Sequence, residues 1–125
     1  MILVDTSVWI DWLADRPVTF DLAGALDERQ VAIHPAVYGE LALGHLGPDR
    51  AAILRELATL PTLVPARDGD VLDLVDHHGL QGTGIGWVDA HLLAACHRNG
   101  ATLWTHDKRL AAQAHRLHRD PSRRA

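Results

Sequence analysis

The 125-residue sequence predicts an α/β fold, a parallel sheet of four or five short strands covered on both faces by helices. Three observations carry that prediction. The first is Ile2-Leu3-Val4, an unbroken apolar run too short for a helix, which reads as a strand buried on both faces. The second is recurrence: Val31-Ala32-Ile33, Leu63-Val64 and Thr102-Leu103-Trp104-Thr105 are further short strands. The third is alternation, because the segments between them carry apolar residues at helical spacing, the pattern of a parallel sheet. No linker, repeat or low-complexity segment divides the chain. Residues 1–125 therefore read as one domain, with a basic tail from about residue 118 onward.

The elements follow in order. After the first strand, Val8, Trp9, Ile10, Trp12 and Leu13 place apolar side chains over more than one face of a helix. A collar of that kind is either deeply buried or covered by a partner. Pro17 ends the segment, and Phe20, Leu22, Ala23, Ala25 and Leu26 mark a second helix. Beyond the second strand, His34-Pro35 sets proline at the first position of a helix over residues 36–46, with Val37, Leu41 and Leu43 expected inward. Pro48 opens a helix containing Ile53, Leu54, Leu57 and Leu60, which ends at Pro61; Pro65 closes the third strand. Val71, Leu72, Leu74 and Val75 give a helix that runs out at His77-His78-Gly79. A glycine-rich loop from Gly79 to Gly86 leads to a helix beginning at Trp87 or Val88, with Leu92, Leu93 and Cys96 on one side and Asn99-Gly100 as its stop. Asp107 follows the fourth strand, before a closing helix over about residues 108–117.

Composition narrows the function classes. A hydrophobic content of 47% excludes global disorder. No apolar run approaches the ~20 residues that span a bilayer. The N-terminus shows neither the basic region nor the cleavage site of a signal peptide, and the lone Cys96 rules out an internal disulfide, so a cytoplasmic location is expected. The formal charge of −4 is unevenly spread. Residues 1–96 hold five arginines against fourteen acids, whereas residues 97–125 hold seven cationic residues against Asp107 and Asp120. A basic end on an acidic body suits a polyanion guided along one edge, or else a solubilising tail.

Four acids stand at suspicious places. Asp5 and Asp107 each follow a strand, where ligands of open α/β sheets bind. Asp89 lies in the first turn of its helix, and Glu40 on the helix after the second strand. Each has an ordinary explanation: Asp5 and Asp107 as helix caps, Asp89 as a first-turn charge, Glu40 as the partner of an arginine. Right-handed connections nevertheless bring all four to one sheet edge. Carboxylates crowded there either take up protons or hold cations. Oxygen ligands without cysteine point to Mg²⁺ or Mn²⁺, and such ions activate water for phosphodiester hydrolysis. Thr6, Ser7 and Thr105 flank two of the acids as hydroxyls able to orient them.

The blocks Val4-Asp5-Thr6-Ser7, Tyr38-Gly39-Glu40-Leu41, Trp87-Val88-Asp89-Ala90-His91-Leu92-Leu93-Ala94-Ala95 and Leu103-Trp104-Thr105-His106-Asp107-Lys108-Arg109-Leu110 together resemble the signature of PIN-domain proteins. More narrowly they resemble VapC toxins of toxin–antitoxin pairs. The resemblance implies a PIN-like domain and a Mg²⁺- or Mn²⁺-dependent endoribonuclease acting on tRNA or rRNA. It further implies a homodimer, a heterotetramer or larger with its antitoxin, inhibited by a VapB-type protein laid over a hydrophobic groove. Asp5, Glu40, Asp89 and Asp107 fall on the acidic quartet, with Thr6 and Thr105 on its hydroxyl positions. The 8–13 collar, with Trp9 and Trp12, suits that groove or the dimer face. Arg98, Lys108, Arg109, Arg116 and Arg119 are expected to hold RNA phosphates.

The nine histidines add little. His77-His78 suits a helix end, His91 points away from Asp89 along its helix, His34 is a bystander near the site, and His106 reads as an exposed turn residue, with a contact to phosphate as the alternative. Cys96 reads as core. Haloacid-dehalogenase phosphatases need a second aspartate where Ser7 stands, and response-regulator receivers need an acidic pair where Asp5 stands alone. The alternatives are a stand-alone RNA-processing nuclease and a catalytically silent binding module. An intact quartet argues against the second.

Overall fold

The computed structural model of the chain describes residues 1–121. Arg123 and Arg124 of the expected basic tail lie outside them. Three parallel strands, β1 (Ile2–Val4), β2 (Val31–Ala32) and β3 (Thr102–Trp104), form the sheet in the order β2-β1-β3. Seven helices surround it among the described residues: α1 (Thr6–Leu13), α2 (Leu22–Asp27), α3 (Pro35–Leu43), α4 (Arg50–Leu57), α5 (Asp68–His78), α6 (Trp87–Asn99) and α7 (Lys108–Arg116). No helix of the described residues is long and apolar enough to cross a membrane.

The apolar run at the N-terminus becomes the central strand. Leu3 and Val4 are fully buried, between Val31 and Ala32 on one side and Leu103 and Trp104 on the other. The register pairs Ile2 with Thr102, Leu3 with Leu103 and Val4 with Trp104. Parallel strands place their C-terminal ends together, so the residues that follow, Asp5 and Thr105, emerge side by side. The Asp5 amide N–H extends the ladder by one bond, to the Trp104 carbonyl at 2.8 Å.

The expected third strand at Leu63-Val64 is reduced to a single parallel bridge between Ile33 and Thr62. Two bonds hold it, from the Ile33 amide to the Pro61 carbonyl at 2.8 Å and from the Leu63 amide to the Ile33 carbonyl at 3.0 Å. Pro61 and Pro65 bracket the segment, and proline has no N–H to carry a ladder further.

Helix rotation decides two further points. Val37 and Leu41 are buried one turn apart on α3, but Leu43 is 91% exposed, against expectation. Two residues along a helix turn a side chain to the opposite face, so Leu43 cannot share the side of Leu41. The apolar collar of α1 divides likewise: Val8 and Trp9 are in the core, Trp12 is half-buried against it, and Ile10 is exposed. Trp9 is thus a core residue, unavailable to a partner. Cys96 is fully buried, as expected, and burial pushes its thiol up to about 12. Gly100 ends α6 at φ 65°, a left-handed conformation that glycine adopts without a Cβ clash.

Candidate active site

The site lies at the C-terminal edge of the sheet, where β1 delivers Asp5, β3 delivers Thr105 and Asp107, and α6 begins. Asp5 occupies the N-cap of α1 but makes no side-chain cap bond. The capping explanation for this acid therefore fails. Its buried carboxylate instead accepts two hydroxyls on Oδ2, from Ser7 at 2.9 Å and Thr105 at 2.7 Å. Those hydroxyls lie 3.2 Å apart and also accept from backbone: His106 N–H donates to Ser7 at 3.0 Å and Asp107 N–H to Thr105 at 3.0 Å. Thr6, next along α1, donates to Glu40 Oε1 at 2.7 Å and so ties α1 to α3. Glu40 has no ion pair among the described residues.

Asp89 and Asp107 do serve their helices. Asp89 Oδ2 accepts the Gly86 N–H at 3.0 Å, and Asp107 Oδ1 accepts the Leu110 N–H at 2.9 Å at the start of α7. Capping and site membership are not exclusive, because a cap uses one carboxylate oxygen. In all four acids one oxygen is held by the protein, while no hydrogen bond from a described residue reaches the other.

Electrostatics connects three of them. Burial pushes the Asp89 carboxyl above its ordinary value, the Gly86 N–H opposes that, and the charges of Asp5 and Asp107 add to the rise. The carboxylates are therefore close enough to repel through the site. Since the folded pKa lies above the unfolded one, Asp89 favours the fold fully only below about pH 3.8, and that contribution is lost as pH rises through the folded value. Asp89→Asn keeps the oxygen that accepts from Gly86 and removes the charge. It is expected to raise Tm at pH 7 without metal, with the gain shrinking toward pH 4. Melting curves over that range check this, and a variant less stable than wild type at pH 7 contradicts it.

Among the described residues, no three histidine, cysteine or acidic side chains form a ready metal cage as they stand. The donor set nevertheless fits a hard divalent cation. It offers oxygens only, one uncommitted per acid, with a like-charge repulsion that a cation relieves.

The cationic candidates separate into groups. Lys108 and Arg109 occupy the first turn of α7 beside Asp107. Arg109 lies across Gly84, where a Cβ would come within 2.7 Å of its Cδ. Gly84 has φ +87°, so this glycine serves both the turn and the approach of the arginine. The remaining three lie elsewhere. Arg98 is in the last turn of α6, roughly 13 Å along the axis from Asp89. Arg116 ends α7 and donates to the Gln113 side chain at 2.8 Å and the His78 carbonyl at 2.7 Å. Arg119 follows α7 alongside β3, where its carbonyl accepts the Leu103 N–H at 2.5 Å.

The histidines mostly act structurally. His34 is buried and caps α3, its Nδ1 accepting the Ala36 N–H at 3.0 Å, and burial and then His91 hold its pKa down. His91 turns from the site to Asp68, 3.1 Å away. His106 departs from expectation. It is no exposed turn residue, for its half-buried ring meets Asp11 on α1, Nδ1 to Oδ2 at 2.6 Å. Arg16 donates to the other Asp11 oxygen at 2.8 Å, and these two bonds hold the Asp11 carboxyl below its usual range. Asp11 and Arg16 went unnoticed in the sequence, although Ser7 and Asp11 stand at i and i+4 of one helix.

The PIN-domain family model matches residues 2–116. Ribonuclease VapC32 of Mycobacterium tuberculosis, in two strains, is 44% identical over 113 residues, 90% of this chain and 89% of the relative. The crystal structure of PAE2754 from Pyrobaculum aerophilum superposes with a TM-score of 0.58 at 21% identity, covering 90% of this chain and 83% of that one, a likeness of fold. With a family match across nearly its whole length and a relative of that identity, the chain belongs to the PIN-domain family as a VapC-type member.

Proposed function

We propose that this chain is the toxin of a VapBC-type toxin–antitoxin pair, an endoribonuclease that hydrolyses RNA phosphodiester bonds with Mg²⁺ or Mn²⁺. A cognate VapB-type antitoxin inhibits it, and the toxin pairs as a homodimer. The observation that carries the reading is the convergence at the sheet edge: Asp5 and Thr105 joined by strand register, with Asp89 feeling the charge of Asp5 and Asp107. The name of the VapC32 relatives, a ribonuclease, supports the same chemistry.

Asp5, Glu40, Asp89 and Asp107 would hold the cation through their uncommitted oxygens. A divalent cation bound there supplies a water of lowered pKa and offsets charge on the attacked phosphate. The chain's own groups do the rest. Ser7 and Thr105 fix the Asp5 carboxylate, and Thr6 fixes Glu40, so the acids keep their orientation as RNA enters. The N-termini of α6 and α7 point positive ends at the same edge and favour an anionic backbone. Lys108 and Arg109 grip phosphates beside the scissile bond. An RNA strand following α7 would meet Arg116 next, roughly 12 Å along the axis. Arg119 and Arg98 would touch only a longer substrate.

Purified protein should cleave RNA with Mg²⁺ or Mn²⁺, stop in EDTA and recover when Mn²⁺ is restored. Undiminished cleavage in EDTA would sink the metal-dependent reading. Addition of the cognate VapB-type antitoxin should suppress the activity.

A further inference from the structure

Three residues, Thr105 to Asp107, bridge the gap between β3 and α7, and they carry two groups of the acidic site. The bonds that hold this bridge are largely circular. His106 and Asp107 donate their N–H groups to the hydroxyls of Ser7 and Thr105, and those hydroxyls are the ones that hold Asp5. Two side-chain tethers come from outside this circle: the Leu110 N–H of α7 donates to Asp107 Oδ1 at 2.9 Å, and His106 Nδ1 meets Asp11 Oδ2 on α1 at 2.6 Å.

Helical geometry explains why one loop residue meets α1 twice. Ser7 and Asp11 are four residues apart on α1 and therefore share a face. The His106 backbone docks on the first and its ring on the second. The pair is partly shielded, with side-chain exposures of 19% for His106 and 28% for Asp11. The second ring nitrogen is buried without a hydrogen-bond partner, so the Asp11 bond is what sets the orientation of the ring. Arg16 holds the opposite Asp11 oxygen at 2.8 Å and fixes that carboxylate in turn.

We propose that Asp11 and His106 form a latch that positions Thr105 and Asp107 for cation and phosphate. Both are positioning residues, acting through the loop and touching neither substrate nor cation. The proposal deepens the nuclease reading and rests on it.

His106→Ala should lower kcat roughly 10- to 100-fold and weaken Mn²⁺ binding by a similar factor, the usual cost of losing an outer-shell partner. KM for RNA should change by less than about threefold, since the phosphate-gripping side chains are intact. His106→Asn is the decisive companion. Its amide N–H₂ takes the place of Nδ1 and still donates to Asp11, so it should recover most of both losses. Asp11→Leu should reproduce His106→Ala, and the double variant should be no worse than either single one. Mn²⁺ affinity is read by calorimetry on the wild-type chain and each variant, without RNA. Normal kcat and Mn²⁺ affinity in His106→Ala overturn the latch. Equal loss in the Asn variant also overturns it, because the imidazole would then act by its own chemistry. Additive losses in the double variant overturn it as well. Should the alanine variant not fold, Asp11→Leu against His106→Asn gives the same comparison. If wild type binds Mn²⁺ but cleaves no RNA, the nuclease reading fails while the latch stands or falls on metal affinity.

Discussion

Asp5→Asn is expected to reduce RNA cleavage by roughly 10²- to 10³-fold or more, the scale seen when a preorganised electrostatic group is removed from a reacting centre. The substitution is isosteric, and its carbonyl oxygen can go on accepting the Ser7 and Thr105 hydroxyls that now meet Oδ2. The change falls on the other side of the group, where an anionic oxygen facing the site becomes an N–H₂ donor. A cation loses a ligand and gains a repulsive dipole there. Folding should not suffer, because the Asp5 charge is one of the causes that push Asp89 up, and removing it relieves that repulsion. Cleavage should therefore collapse while Tm holds or rises. Cleavage at the wild-type rate would remove Asp5 from the chemistry, and with it the metal site.

The largest stability effect is expected at Trp9. Its side chain is 2% exposed and packs edge-to-face on Trp12, with ring centroids 5.9 Å apart. Truncating a buried tryptophan to alanine costs about 3–5 kcal/mol in lost transfer energy and cavity. A domain of this size has only about 5–15 kcal/mol in total. Trp9→Ala should therefore lower Tm on the order of 10–20 °C. Ile10, the next residue along α1, is 47% exposed, and Ile10→Asp should alter stability by no more than about 0.5 kcal/mol. Thermal melts of the two variants compare the inner and outer faces of one helix. If Trp9→Ala melted like wild type, the tryptophan would belong to the surface, as the apolar collar alone allowed. Ile10→Asp, by contrast, is the variant in which to look for lost association with an antitoxin or a second copy.

Much of the candidate site is legible in the sequence. Short apolar runs ending in Asp5 and Thr105, the loop of glycines before Asp89 and the proline at the head of α3 are all local signals. The register of β1 and β3 then adds what no local signal carries, the contact between residues 5 and 105 at 2.7 Å. The dual use of Asp89 and Asp107 was visible only as two competing readings. The structure makes the two readings compatible, because one oxygen of each serves the helix and no hydrogen bond from a described residue takes the other. His106 was misread because a turn residue between two polar neighbours carries no trace of a partner 95 positions away.

The sequence by itself determined the α/β class, the helix boundaries to within a few residues and the burial of Cys96, and it singled out the four acids as candidates. These depend on periodicity, caps and breakers acting over a few residues. Only the tertiary structure decided that Trp9 faces inward and Leu43 outward, and that the third strand shrinks to one bridge. It alone separated Lys108 and Arg109 from Arg98, Arg116 and Arg119, and tied His106 to Asp11. Each of those outcomes depends on how a helix is rotated or how two strands are registered. Residues tens of positions apart set such choices jointly, through the packing of a shared core.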